Sequence, residues 1–310
     1  MKCIETKNGT PVSRLGFGAM QFGRTADEND AREMFEACIG AGINLFDTAY
    51  SYTGGASEQM LGKLAAPMAD DVLVATKAPN DRPASSDNLR ASHELSCKRL
   101  GVDCIDIYYL HRFDPETELE ETFGTLAEMQ SRGLIRHIGV SNFAAWQIMK
   151  AQAVCATFDT QIDVCQPMYN LVKRQAEAEI LPACEDQGIS VCPYSPLGGG
   201  LLTGKYADGA AGRLKDDRTY AARYAQSWMH EAARELRHLS ERLAIPAATL
   251  AVAWVARHPA VTSTLISARN ASQLQPSLDA IDFELSDDLH AQVTRLSPTP
   301  APATDRSEEA

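Results

Sequence analysis

A (β/α)8 barrel is the fold class this sequence predicts, and three observations predict it. Short, continuous apolar runs recur eight times, at 15–18, 43–46, 72–76, 105–110, 135–140, 162–166, 189–193 and 262–266. Runs that are apolar throughout, without alternation, suit strands buried on both faces, as in a parallel sheet covered by helices. Stretches with a 3.6-residue apolar period separate them in strict alternation, over about 250 residues, the usual length of such a barrel. Nothing between the units has the composition of a linker, and the chain shows no close internal repeat. A doubly wound open sheet is the alternative arrangement of the same units.

Each element follows in order. The residues before 15 read as a short N-terminal hairpin. Helices are expected at 27–41, 57–65, 85–100, 117–132, 143–153, 176–187, 228–244 with 246–257, and 270–280. Gly40 and Gly42, Gly101 and Gly133 stand where the first, third and fourth helices end, as left-handed caps require. Pro246 suits the first turn of the helix it precedes. Two additions decorate the barrel: a polar extended loop from Tyr206 to about Arg223 after strand seven, and an extra C-terminal helix at 285–296. These bounds give one barrel domain over 1–297 and a disordered tail over 298–310, where three prolines precede an acidic run.

Composition narrows the function. Among 310 residues, Lys+Arg 29 against Asp+Glu 41 leaves a formal charge of −12, which argues against nucleic acid or an anionic membrane as partner but permits a local phosphate pocket. With 45% hydrophobic and 23% charged residues the chain has ordinary globular composition. No run reaches the roughly 18 apolar residues of a membrane span, and Met1-Lys2-Cys3-Ile4-Glu5 lacks the apolar core of a signal peptide. The eight cysteines form no CxxC pair and mostly sit in apolar runs. Free thiols in a reducing cytoplasm fit them better than disulfides or a metal site, so a cytoplasmic protein without metal is expected.

In a barrel, chemistry is carried by side chains at the C-terminal ends of strands. Reading those ends gives Asp47, Lys77, His111, Ser141 with Asn142, and Gln166, each after an apolar run. Singly, Asp47 reads as a helix cap, Lys77 as a solvated cation and His111 as a core imidazole. Five consecutive polar ends around one mouth read as a site. Two phosphate-loop look-alikes fail on detail. Gly16-Phe17-Gly18-Ala19-Met20-Gln21 lacks the third glycine and the helix of a dinucleotide fingerprint. Gly199 to Tyr206 lacks the terminal Ser/Thr of a P-loop.

The segment Asp47-Thr48-Ala49-Tyr50-Ser51-Tyr52-Thr53-Gly54-Gly55-Ala56-Ser57-Glu58 resembles the signature of the aldo-keto reductases. The resemblance continues through Lys77, Tyr108-Tyr109-Leu110-His111, Ile138-Gly139-Val140-Ser141-Asn142-Phe143, Gln166-Pro167-Met168-Tyr169-Asn170 and Tyr194-Ser195-Pro196-Leu197 to Leu202-Thr203-Gly204-Lys205. It spans about 15–280. The last two motifs look most similar to the branch of bacterial general-stress reductases and potassium-channel β-subunits.

The resemblance implies a catalytic tetrad of Asp47, Tyr52, Lys77 and His111, and residue chemistry agrees. Oxygen gains negative charge as a carbonyl accepts hydride, so a proton donor and a polar cradle are required. A tyrosine near pKa 10 needs a neighbouring cation to act as that acid. Lys77 is that cation, Asp47 holds it, and His111 orients the substrate oxygen. The resemblance also implies NADP(H), with NAD(H) as the lesser alternative. Ala19, Met20, Asp47, Ser141, Asn142 and Gln166 would meet the nicotinamide end, and Tyr194 would stack on its ring. Ser195, Pro196, Leu197, Gly199 and Lys205 would hold the pyrophosphate. Ser267, Ala268 and Arg269 would hold the ribose phosphate, with Gln273 opening the adenine grip. The sequence departs from the family here: Ser267 replaces a usual Gly, and Pro276-Ser277 replace the Glu-Asn that grips adenine.

The function implied is reduction of an aldehyde, ketone or sugar carbonyl. A cofactor-binding regulatory subunit with slow turnover is the alternative, and a Schiff-base lyase using Lys77 fits less well beside Asp47. Substrate identity lies in loops such as 22–24, 113–115 and 206–223, and oligomeric state is not legible.

Overall fold

All eight apolar runs become strands in the computed structural model, which describes residues 4–209, 211–306 and 308. They are β1 (Leu15–Gly18), β2 (Leu45–Asp47), β3 (Leu73–Lys77), β4 (Ile105–Leu110), β5 (Ile135–Ser141), β6 (Val164–Gln166), β7 (Ser190–Val191) and β8 (Thr264–Ile266). Every neighbouring pair is parallel, in the order β7-β6-β5-β4-β3-β2-β1-β8. The sheet closes on itself through parallel bridges Val191 to Val261 and Tyr194 to Leu265, and the Leu265 N–H donates to the Pro193 carbonyl at 2.9 Å. Sequential order plus closure makes this the (β/α)8 barrel and removes the doubly wound alternative. The seventh run yields only two strand residues because Pro193 has no N–H to offer the ladder.

The helices follow the expected alternation: α1 (Glu28–Gly40), α2 (Ala56–Ala65), α3 (Ser86–Leu100), α4 (Leu119–Ser131), α5 (Ala145–Ala156), α6 (Ile180–Asp186), α7 (Arg213–Asp216), α8 (Arg218–Arg223), α9 (Ser227–Leu243), α10 (Ala247–Ala256), α11 (Ala271–Leu278) and α12 (Asp287–Thr294). Asp27 caps α1 through the N–H groups of Asn29 and Asp30, and Gly101 ends α3 in the left-handed conformation. Three details differ from expectation. The sixth helix is broken into a short turn at Gln175–Glu177 and α6. Pro246 is the N-cap of α10 rather than part of its first turn. The polar stretch after strand seven carries α7 and α8.

The residues before β1 form the expected hairpin, with Glu5 bridged to Pro11 and Val12 N–H donating to the Ile4 carbonyl. Ile4 closes the bottom of the barrel against an interior layer of Leu45, Leu73, Ile107, Tyr109 and Val164. A second, larger core lies between strands and helices. Helix α10 is buried along its whole length and meets α9 at 107°. Among the described residues no single helix is long and apolar enough to cross a membrane. Over 298–306 the tail has neither helix nor strand; residues 307, 309 and 310 and Cys3 lie outside the described residues.

Candidate active site

The strand pleat decides which side chains enter the barrel. Successive side chains alternate between faces, so residues two apart share one. Leu45, Leu73 with Ala75, Ile107 with Tyr109, and Val164 all face inward. Two residues further on, the same rows end in Asp47, Lys77, His111 and Gln166, at the C-terminal mouth. Gly139 leaves the room Tyr109 needs, since a Cβ there would lie 2.3 Å from the Tyr109 ring.

Three of these groups, Lys77, Asp47 and Gln166, join in one hydrogen-bond network. Lys77 Nζ, on a residue 1% exposed, donates to Asp47 Oδ1 at 2.5 Å and to the Thr48 carbonyl at 2.6 Å. Gln166 Nε2 donates to the second Asp47 oxygen at 2.9 Å. Burial lowers the Lys77 pKa and the Asp47 carboxylate opposes that shift. Tyr52 arrives on the loop after β2, its ring centroid 5.2 Å from Lys77 Nζ and 6.0 Å from the His111 ring at 79°. Burial, then the Asp47 charge, pushes the Tyr52 phenol well above its ordinary value, so it stands protonated. His111 moves the other way: burial, then Lys77 and Arg112, pull its pKa down to about 3. Its Nδ1 is buried and has no partner among the described residues.

Tyr52 is positioned by residues whose role the sequence reading missed. Ser57 and Glu58, in the first turn of α2, are both fully buried. The Ser57 hydroxyl donates to the Ala19 carbonyl at 2.8 Å and lies 2.7 Å from Thr48 Oγ1. Glu58 accepts from Thr76 on β3 at 2.7 Å and from Arg99 on α3 at 3.0 Å. Arg99 also donates to the Tyr50 carbonyl, tying the loop's two ends to the barrel wall. An acidic residue in a helix first turn ordinarily faces solvent, so nothing in the sequence flagged a buried ion pair here.

A cavity of about 1080 Å³ runs from this network outward. Of the residues expected to meet a dinucleotide, Met20, Asp47, Ser141, Asn142, Gln166 and Tyr194 line its inner part. Ser195, Pro196, Leu197, Gly199 and Lys205 follow, and Ser267, Ala268, Arg269 and Gln273 line its far part. Ala19 and Lys77 do not reach the cavity surface; each acts from beneath, Ala19 through its N–H to the Asp47 carbonyl at 2.8 Å. Asn142 is held in a left-handed conformation, φ 58°, and donates to the His111 carbonyl at 2.9 Å. It also accepts from the Tyr194 hydroxyl at 2.7 Å, which fixes the ring plane. Ser195 has φ 60°, and strain of this kind gathers at functional loops. Gly199 and Gly200 have positive φ, and a Cβ on either would meet Tyr220 or Lys205.

The far end departs from expectation in two ways. The N-terminus of α11, next to the residues expected to hold the ribose phosphate, is partly occupied by its own side chains: Asn270 accepts the Gln273 N–H and Gln273 accepts the Arg269 N–H. Ser277 is buried and off the cavity, whereas Pro276, Ser240 and Glu241 line it. Arg112, Arg213, Tyr220 and Arg223 also line the cavity and were not singled out in the sequence: Arg112 lies just before loop 113–115, and loop 206–223 was read only as a region.

The sequence pattern of the Aldo/keto reductase family matches residues 14–298. The chain is 32% identical over 295 residues to a protein of Arabidopsis thaliana named probable voltage-gated potassium channel subunit beta, covering 89% of each chain. It is 32% identical to the uncharacterized oxidoreductase YrpG of Bacillus subtilis, over 96% of each chain. It is also 32% identical to aflatoxin B1 aldehyde reductase member 2 of Rattus norvegicus, over 80% of this chain and 69% of that one. A closed parallel barrel with this polar mouth, matched over nearly its whole length, belongs to the aldo/keto reductase family.

Proposed function

We propose that the protein reduces an aldehyde or ketone carbonyl to an alcohol with NADPH as hydride donor, Tyr52 giving the proton. The observation that carries this reading is the buried Lys77–Asp47 pair directly beside a protonated phenol and a neutral imidazole. The residues present fit a phosphorylated dinucleotide: three cations, Lys205, Arg213 and Arg269, line the cavity near the glycine turn, and the unpartnered His111 nitrogen faces no competing protein group. Bound there, the cofactor supplies hydride to the carbonyl carbon.

The chain's own residues do the rest. Ser141, Asn142 and Gln166 hold the nicotinamide end, and Tyr194 supports the ring on one side. Lys205 and Arg269 hold phosphates, and Arg269 selects NADPH over NADH. Neutral His111 donates one N–H to the substrate oxygen, which a cationic imidazole would instead protonate. Tyr52 passes its proton to the oxygen as charge develops. Lys77 stabilises the phenolate left behind, and Asp47 keeps that ammonium in place. The barrel over 1–297 acts as one domain, and its free cysteines support a reducing, cytoplasmic setting.

The similarity to proteins named potassium channel subunits favours one second reading, a regulatory subunit that binds cofactor and turns over slowly. Following loss of NADPH absorbance with aldehydes, ketones and sugars separates the two. Turnover of about 1 s⁻¹ or more supports the enzyme. Cofactor binding with turnover orders of magnitude lower supports the regulatory reading.

A further inference from the structure

Two non-glycine residues that line the cavity stand in the left-handed region, Asn142 at φ 58° and Ser195 at φ 60°. Asparagine adopts that conformation readily, whereas serine relaxes from it unless its surroundings hold it there. What holds Ser195 is a pair of bonds to its carbonyl. One comes from the Gly198 N–H at 2.9 Å, within its own turn. The other comes from Asn170 Nδ2 at 2.9 Å, on the loop after β6. The same loop holds the residue before it, since the Tyr194 N–H donates to the Pro167 carbonyl at 3.0 Å.

Asn170 is built to act as a clamp. It is fully buried, and every group of its amide is used. Oδ1 accepts the Val172 N–H at 3.1 Å in a local turn, so Nδ2 is the end that faces Ser195. Nδ2 also donates to the Tyr224 hydroxyl at 3.3 Å. The backbone beneath is fixed: Asn170 and Lys173 exchange both N–H to carbonyl bonds, at 3.3 and 2.9 Å. Next to it, Tyr169 packs on Trp254 and donates to Glu177 at 2.7 Å. Tyr224, directly after α8, lies under the turn, where a Cβ on Gly198 would stand 3.4 Å from its ring. One side chain thus joins the loop after β6, the turn after β7 and the end of α8. Neither Asn170 nor Tyr224 lines the cavity.

We propose that Asn170 is a positioning residue for the cofactor: it holds Ser195 in the left-handed conformation in which Tyr194 and the 195–199 turn meet the nicotinamide and the pyrophosphate. This rests on the dinucleotide reading above. Without the bond from Asn170, Ser195 populates that conformation only in part, and apparent affinity falls by the same fraction. A glycine at 195 needs no clamp, because it has no Cβ to strain.

The test is a double-mutant cycle read by calorimetric titration of NADPH, with no turnover required. Asn170→Ser keeps an oxygen for the Val172 N–H but is too short to reach Ser195. It should raise the NADPH Kd about tenfold in the native background, and less than about threefold in Ser195→Gly. Asn170→Ala, which also removes the local turn, should show the same dependence on residue 195. Tyr224→Phe, which leaves the Asn170–Ser195 bond in place, should change Kd by less than about threefold. In turnover, KM for NADPH should rise in Asn170→Ser while kcat stays within about threefold of native. An unchanged Kd in Asn170→Ser, or an equal loss in both backgrounds, overturns the positioning role and leaves the cofactor reading standing. Loss of the folded state in Asn170→Ser also overturns it, since the residue would then serve the fold rather than the cofactor. Native protein that does not bind NADPH overturns the cofactor reading, and this inference with it.

Discussion

The two ends of the cavity are built on different principles. At the inner end, Asp47, Lys77, His111 and Gln166 stand on strand termini, where the pleat and the parallel register fix each side chain. Asp47, Lys77 and Gln166 are buried and joined by bonds of 2.5–2.9 Å, and half-buried His111 stands beside them. At the outer end, Lys205, Arg213 and Arg269, half exposed, and Gln273, exposed, stand on loops or helix starts and are placed by left-handed glycines and local caps. Low dielectric strengthens every interaction at the inner end and screening weakens those at the outer end. Under the proposed function, chemistry belongs to the first and cofactor choice to the second.

Removing the proposed proton donor separates the two ends most sharply. Tyr52→Phe should lower carbonyl reduction by at least about 10²–10⁴-fold, the contribution of general acid catalysis, while NADPH quenches tryptophan fluorescence with close to the native Kd. Lys77→Met should act on turnover in the same direction. A Tyr52→Phe enzyme keeping more than about a tenth of native turnover, with chemistry rate-limiting, would show that another group is the acid.

The outer end should respond in binding. A desolvated guanidinium–phosphate contact contributes about 1.5–3 kcal/mol, so NADPH should bind roughly ten- to hundredfold more tightly than NADH. Arg269→Ala should erase most of that difference. Equal native affinities, or a variant that loses both cofactors alike, would mean Arg269 does not read the ribose phosphate.

The same contrast explains what was legible in the sequence. An apolar run ending in one polar residue announces a strand-end group, and Asp47, Lys77, His111 and Gln166 were read that way from spacing alone. Tyr52 required the resemblance, because a tyrosine in a Tyr-Thr-Gly-Gly loop carries no signal of its own. Ser57, Glu58 and Arg99 escaped because their partners come from three separate units, and contacts across 41 residues leave no local period. Arg213, Tyr220 and Arg223 escaped because a polar loop with short helices has no apolar rhythm to fix its register against the barrel.

His111 gives the inner end a pH signature. Its pKa is about 6.5 in the unfolded chain and about 3 in the folded one, where burial and Lys77 resist protonation. Between those values the unfolded state binds the proton and the folded state does not, so stability falls as pH drops from about 6.5 toward about 3. His111→Gln should flatten that limb in denaturant titrations at successive pH values. An unchanged acid limb would mean that other groups set it.

The smallest effect is expected at the adenine end. The Glu-Asn pair that resemblance leads one to expect is absent, and Pro276 carries no donor there while Ser277 is buried away from the cavity. Glu241 is the acid nearest in kind, but it is 58% exposed on its side chain and already accepts from Arg237 at 2.9 Å. A neutral hydrogen bond contributes about 0.5–1.5 kcal/mol when buried and less in water. Replacing the adenine of NADPH with hypoxanthine, which exchanges an amine donor for a carbonyl acceptor, should therefore change Kd by less than about threefold. A tenfold loss, reversed in Glu241→Gln, would show instead that α9 has taken over the acceptor role α11 lacks, and the outer end would then read base as well as phosphate.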